Sequence, residues 1–462
     1  MDGGLAPVDG GHEEAAEPDA GVADAGNTRD AKPIQCVESN GSQDLWAIDP
    51  TPVSLPQDEG RLVHCYHTSS ASQFAAGVQA SPYILAGLTA QNGYHQYVIQ
   101  YVSASPPGTL RHVTALAYVP DTNAAQIPLV AIQHATNGIG PACGPTHDNY
   151  FADYMALPLV VQGFAVVATD YPGMGVDDGV SPYAVGWSEG TSVLDAVRAA
   201  AQLHDGQRFD ASQLSRQLVL MGHSQGGQAT LFAHDLYTQS IGFDLLGSVV
   251  FAPAYGDLRG QEGYFSAPSN PTVSNTFLFV MDLFASEAYA GSPHLADWLT
   301  PAAAIELPQV LHDHCLFLAQ QQIENDFPTV ADLMPLAFSN AIGACAFDGG
   351  ACAGFSPFTQ ELAASIPGDV HSRAPILILQ GESDSDVLPE TTACIKQRLD
   401  LNGTPATACG YAGLDHYTIM AGAIGDGVSW VQARLDGGLP MVCPAPLAET
   451  CLPDGPNSPP PL

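Results

Sequence analysis

Positive charge is scarce in this chain. Its 462 residues include 12 Lys and Arg against 48 Asp and Glu, a formal net charge of −36, and Lys32 and Lys396 are the only lysines. Such a surface repels phosphate backbones and anionic membranes, which excludes nucleic acid as a partner. Solubility in an extracellular or salty setting is the simplest account of the carboxylates. Repulsion of anionic products from a reaction site is a second. Long apolar runs are missing too. No stretch approaches the roughly 20 residues of a membrane-spanning helix, so no integral membrane segment is expected. There is no C-x-x-C and no Cys/His group with structural zinc spacing. His312-Asp313-His314-Cys315 comes nearest, but neighbours on a helix point to different faces, so it reads as ordinary structure and no metal is expected. A charged start followed by an apolar signal stretch is also lacking, so an exported form would have lost its leader.

What is present bounds the architecture. The length suffices for one large α/β domain with an insertion, and a monomer is expected. Residues 1–33 are rich in Asp, Glu, Ala and Gly with almost no large apolar side chains, and read as a disordered acidic tether. Residues 443–462 end in Pro-Asn-Ser-Pro-Pro-Pro and read as a Pro-rich tail. Ten cysteines suit disulfides in an oxidising compartment, hence a secreted or cell-surface protein. Nearness in sequence suggests Cys345–Cys352, Cys394–Cys409 and Cys443–Cys451, leaving Cys36–Cys65 and Cys143–Cys315.

Strand and helix patterns alternate between the tails. Residues 95–102 and 112–119 read as early antiparallel strands. Apolar runs at 129–133, 164–169, 217–221, 246–252 and 375–380, with a last one near 406–411, read as a parallel set. Helices lie between, for example over 191–203. This rhythm predicts an open, mostly parallel sheet with helices on both faces.

The strand at 217–221 runs into Gly222-His223-Ser224-Gln225-Gly226, and a helical pattern follows from Gln228. Strand, glycine turn and helix make a nucleophile elbow, which lifts a serine hydroxyl clear of the sheet. Glycines there let the backbone turn without Cβ clashes. A serine needs a base and an orienting acid, and after an elbow these follow in the order acid, then histidine. The strand at 375–380 enters Gly381-Glu382-Ser383-Asp384-Ser385-Asp386. Asp384 is the candidate acid, with Asp386 its competitor. His416 follows 32 residues later and is the one histidine after Asp384. The oxyanion of acyl transfer needs two N–H donors. One is expected from Gln225, the other from the loop after 129–133, at Thr136 first or Ala135 second. His134, in the same loop, reads as structural.

Gln133 through Gly138, Cys143-Gly144-Pro145-Thr146, Val166 through Gly175, Ser181-Pro182-Tyr183, Ser192 through Ala200 and the elbow together resemble the secretory lipase family. That family of α/β-hydrolases includes fungal lipases of the Candida lipase A type and bacterial relatives. The resemblance spans roughly residues 60–435. It implies the α/β-hydrolase fold, hydrolysis of carboxylic esters (lipase or esterase, EC 3.1.1, a lipid-degrading activity) and a helical cap over the acyl site. No cofactor is implied. At one position the chain departs from the pattern: Ala135 stands where the family usually has glycine.

Some 160 residues separate Ser224 from Asp384, more than one β–α unit can fill. Residues 258–368 therefore read as a helical cap inserted into a core of 34–257 and 369–442, with one helix starting near Asn275 and another over 310–318. An insertion there sits above the nucleophile as a lid. A peptidase or an acyltransferase could use the same triad, and an inactive hydrolase-fold surface protein would have a broken one. A peptidase usually adds a charged anchor, for which this chain has few cations. The expected partner is a small-molecule or lipid ester.

Overall fold

The computed structural model describes residues 33–41, 44–54, 58–81, 89–206, 208–254, 271–290, 295–341, 358–438, 443–448 and 450–451. Strands β1 (Ile34–Gln35), β2 (Val37–Glu38), β3 (Leu62–Ala71), β4 (Gly93–Ala104), β5 (Leu110–Asp121), β6 (Ile127–Gln133) and β7 (Ala165–Thr169) come first. They are followed by β8 (Leu203–Asp205), β9 (Phe209–Asp210), β10 (Leu214–His223), β11 (Asp244–Phe251), β12 (Ile376–Gly381) and β13 (Ala406–Tyr411). Ten of them form one sheet in the order β13-β12-β11-β10-β6-β7-β5-β4-β3-β2. It is parallel from β13 to β7, and β5, β4 and β3 add on antiparallel. The short β1, β8 and β9 make a separate sheet.

Alternation along β10 shows why apolar runs, rather than amphipathic ones, mark the central strands. Val219 and Met221 pack on one face beneath helices α1 (Gln73–Ala80) and α2 (Tyr150–Val160) and the Thr418–Asp436 helix. Leu218 and Leu220 pack on the other beneath α3 (Gly186–Ala200) and α4 (Gln225–Leu236). Both faces are dry, so both alternate positions are apolar. The α/β-hydrolase fold read from the sequence is thus present as a mostly parallel sheet between two helical layers. The helix expected over 191–203 begins earlier, at Gly186, and ends at Ala200, because Leu203 pairs with Ile34 in the small sheet.

Between β11 and β12 lie the helices Ser274–Ala290, Leu295–Trp298, Pro301–Asp313, Leu316–Asp326, Val330–Leu333 and Phe358–Ala364. They have their own core, with Phe277, Phe279, Trp298 and Phe358 buried together. Ile139, Tyr183 and Val185 from the sheet domain join that core, so it is continuous across the seam. A single helix over 310–318 is not what forms. The chain breaks at His314 and Cys315, where Cys315 bonds to Cys143 and the Leu316 N–H donates to the Asn137 carbonyl at 3.0 Å.

Two expected disulfides are corrected. The described pairs are Cys36–Cys65, Cys143–Cys315, Cys394–Cys451 and Cys409–Cys443. Cys345–Cys352 lies outside the described residues. Cys394–Cys409 cannot form because Cys394 packs with Ile376 and Ile378 on one face of the sheet, while Cys409 packs with Leu377 and Leu379 on the other. Residues 443–448, expected to begin the tail, instead run back along β13. Gly410 N–H donates to the Ala445 carbonyl at 2.9 Å and Leu447 N–H to the Ala408 carbonyl at 3.0 Å. This covers the exposed edge of the last strand.

Candidate active site

Ser224 stands between β10 and α4 with φ 56° and ψ −121°, a positive-φ conformation that a non-glycine residue holds only under constraint. The constraint is visible. Its N–H donates to the Phe251 carbonyl at 3.0 Å, and its carbonyl accepts from Gly227 at 2.8 Å and Gln228 at 3.1 Å. Two glycines make the turn possible by close approach. A Cβ on Gly222 would lie 2.0 Å from the Gly226 carbonyl oxygen, and one on Gly226 would lie 2.1 Å from that of Gln133.

His416 and Asp384 meet this serine. The Ser224 hydroxyl lies 2.9 Å from His416 Nε2, and His416 Nδ1 lies 2.8 Å from Asp384 Oδ2. All three residues are buried. Asp384 follows β12, and its Oδ1 accepts from the Asp386 N–H at 2.9 Å and the Val387 N–H at 2.8 Å. Gln380 Nε2 donates to Oδ2 at 3.2 Å, and Thr392 Oγ1 donates to Gln380 Oε1 at 2.7 Å, which orients the amide. Asp386 does not reach the histidine; it faces Tyr417, whose phenol pKa it helps raise after burial, up to about 12.

The expected oxyanion loop lies beside the elbow. Gln225 opens α4, so its N–H has no carbonyl four residues before it. The Thr136 hydroxyl is 2.9 Å from the Tyr183 hydroxyl. Both Thr136 and Ala135 are buried. Asn137 Nδ2 donates to the Cys143 carbonyl at 2.6 Å. His134 is buried with Nδ1 2.6 Å from the Ala135 carbonyl, and burial holds its pKa down at about 4, so it is a neutral structural imidazole at ordinary pH. A cavity of about 470 Å³ opens next to this loop, walled by Ile139, Pro141, Phe284, Leu295 and Leu311, with Asp177 and His312 among its polar lining. Ser224 is not in its wall. His312 itself lies 2.8 Å from Asp313 and 3.7 Å from Asp177.

Three partners escaped sequence reasoning. His223, inside the elbow, places Nε2 2.9 Å from the His416 carbonyl. Burial, and then the neighbouring His416, push its pKa well down, so it is a neutral donor that fixes the base's main chain. Its place within G-x-S-x-G was the available signal. Gln380 had a weaker one, as the last polar residue of an apolar strand. Glu189 had none. It is buried on α3, and its Oε1 accepts from Gln225 Nε2 at 2.6 Å and from the Ala184 N–H at 2.9 Å.

The secretory lipase family model matches residues 146–256, the stretch that carries the elbow, and bears out the resemblance read from the sequence. No curated protein matches the chain in sequence. Among solved structures, the chain is similar to the rice cell wall degrading esterase LipA from Xanthomonas oryzae. That match has a TM-score of 0.68 and 17% identity, and covers 82% of this chain and 100% of the other. It is also similar to the closed state of Candida antarctica lipase A, with a TM-score of 0.64, 14% identity and 89% of each chain covered. At these identities the likeness is one of fold.

Proposed function

We propose that this chain is a serine hydrolase of carboxylic esters, a lipase or esterase working through Ser224, His416 and Asp384. The observation that carries the reading is the pair of hydrogen bonds, 2.9 Å and 2.8 Å, that joins the strained elbow serine to His416 and Asp384. The secretory lipase match supports the ester-hydrolase class.

In this mechanism Ser224 Oγ attacks the ester carbonyl while His416 Nε2 takes its proton. The carbonyl π electrons move to oxygen, and the oxyanion is met by the Gln225 and Thr136 amides, each contributing about 3–4 kcal/mol. The tetrahedral centre collapses, and His416 returns the proton to the departing alcohol. Water then repeats the cycle on the acyl-enzyme. Asp384 holds Nδ1 protonated and stabilises the imidazolium. The apolar cap core and the apolar cavity beside the oxyanion loop suit an apolar group on the substrate. Disulfides and the acidic surface suit an exported protein. The test is Ser224→Ala on a series of p-nitrophenyl esters. Turnover should fall by several orders of magnitude, on the order of 10³ or more, with the fold intact. A variant that keeps wild-type rates would refute the site.

A further inference from the structure

Three carboxyl residues, Glu189 fully buried and Asp282 and Glu361 partly buried, gather where the sheet domain meets the inserted helices, and the triad uses none of them. Glu189 comes from α3, Asp282 from the Ser274–Ala290 helix and Glu361 from the Phe358–Ala364 helix. Among the described residues, Glu189 Oε2 and Asp282 Oδ1 have no hydrogen-bond partner. Glu361 Oε1 accepts from the Ser365 hydroxyl at 2.6 Å, and the Gly186 N–H donates to that hydroxyl oxygen at 3.1 Å, at the start of α3. The Ser365 carbonyl accepts from Gln228 Nε2 at 2.7 Å. Two links therefore leave the first turns of α4, one from Gln225 to Glu189 on α3 and one from Gln228 to Ser365, which follows the Phe358–Ala364 helix.

We propose that Glu189 is a positioning residue for the oxyanion site, acting as a neutral acid: it clamps the Gln225 side chain, and its ionisation loosens both that clamp and the seam with the cap. This rests on the ester-hydrolase reading above.

Geometry and charge both support the neutral form. A carboxylate here would leave one oxygen buried and unpaired, which costs far more than an unpaired neutral group. The titratable groups that face Glu189 are Glu361, Asp282, Tyr171 and Tyr183, and none of them supplies a positive charge. Burial, with a smaller push from Glu361, raises the Glu189 pKa to about 8 against the opposing pull of the Gln225 and Ala184 donors. Burial likewise raises Glu361 to about 7 and pushes Asp282 well up. In the mechanism proposed above the Gln225 amide meets the oxyanion, and the side chain of the same residue donates to Glu189 Oε1. Moving this side chain moves the first turn of α4.

The sign of the pH effect follows. The folded-state pKa lies above the unfolded value, so the native state holds a proton the unfolded chain has released. The contribution to stability is full below about pH 4.5 and is lost as pH rises through about 8.

The experiment compares wild type with Glu189→Gln and Glu189→Ala. The amide keeps an oxygen at Oε1 but cannot ionise; alanine removes the acceptor. Glu189→Ala should lower kcat about tenfold to a hundredfold with a smaller change in KM. Glu189→Gln should restore most of that loss and shift or remove the alkaline fall in kcat. Thermal unfolding followed from about pH 6 to about pH 9 should show a shallower loss of Tm in Glu189→Gln than in wild type. Superposable pH profiles for wild type and Glu189→Gln, or wild-type kcat in Glu189→Ala, overturn the proposal. Unfolding needs no turnover. Wild type without esterase activity would refute the ester-hydrolase reading, whereas an active wild type with unchanged pH behaviour in Glu189→Gln refutes this inference alone.

Discussion

Replacing Asp384 by Asn preserves shape and reverses one hydrogen bond, and the structure dictates which one. Oδ1 accepts two main-chain N–H groups, from Asp386 at 2.9 Å and Val387 at 2.8 Å. The amide oxygen of Asn must take that position, because an NH₂ there would face two donors. The NH₂ then occupies the Oδ2 position, 2.8 Å from His416 Nδ1. Two donors cannot share that contact, so the imidazole adopts the tautomer with Nδ1 as acceptor and Nε2 protonated. Nε2 then points a proton at Ser224 Oγ and cannot accept one. The imidazolium also loses its counter-charge. Loss of the base tautomer should lower kcat by about 10⁴, or roughly 5–6 kcal/mol of transition-state stabilisation. The same NH₂ meets Gln380 Nε2, which donates to Oδ2 at 3.2 Å, so stability should also fall, by about 1–3 kcal/mol. Steady-state hydrolysis of a p-nitrophenyl ester measures the first effect and thermal unfolding the second. Asp386→Asn, whose carboxylate faces Tyr417, should stay within about tenfold of wild type. An active Asp384→Asn, or an Asp386→Asn that is worse than it, would refute the assignment.

Gly226→Ala should lower both stability and kcat, by about 1–3 kcal/mol in stability, because its Cβ would press on the Gln133 carbonyl 2.1 Å away and drive α4 from β6; a wild-type Tm and rate would contradict this. Thiol titration of the denatured, unreduced protein should find few or no free thiols, and Cys315→Ser should cost about 2–5 kcal/mol by releasing the link to Cys143; ten titratable thiols would refute the disulfide account. Activity should be highest on short and medium acyl esters and weaker on long-chain triglycerides, since a surface at −36 disfavours anionic interfaces; a rate that climbs to long chains, with a jump when the substrate emulsifies, would reverse the ranking.

The sheet and the elbow were legible because their signals are local. A central strand must be apolar at every position, and a strand-to-helix turn with a strained serine needs glycines within a few residues. Asp384 could be preferred to Asp386 by its place after the strand, but the two share one loop and the sequence leaves Asp386 as a competitor. What distinguishes them is two main-chain N–H groups that turn one carboxylate inward, and only the folded loop displays those. Glu189 was invisible because its environment is assembled from helices more than 90 residues away, at Asp282 and Glu361. The misread cysteines share that cause. Cys394 and Cys409 are close along the chain, yet Cys394 sits on the Pro389–Leu401 helix against one face of the sheet while Cys409, on β13, points to the other. Their true partners arrive only after the Thr418–Asp436 helix carries the chain back to the β13 edge.

The same non-local connections constrain how the cap can move. One side is fixed to the loop after β6: Cys315 is bonded to Cys143, Leu316 N–H donates to the Asn137 carbonyl, and Asn137 Nδ2 donates to the Cys143 carbonyl. A disulfide does not open on the timescale of turnover, so that corner can serve only as a pivot. The other side is held by hydrogen bonds from Gly186 and Gln228 of the sheet domain to Ser365, whose hydroxyl also donates to Glu361 on its own helix. Those contacts are weak enough to exchange and sensitive to protonation. If the proposed cap opens to admit substrate, the expectation is that the Ser365 side, which Gln228 links to α4, parts first. The proposed oxyanion donor, Gln225, and Gln228, which bonds Ser365, both stand on the first turn of α4, a proximity that the linear order of the chain conceals.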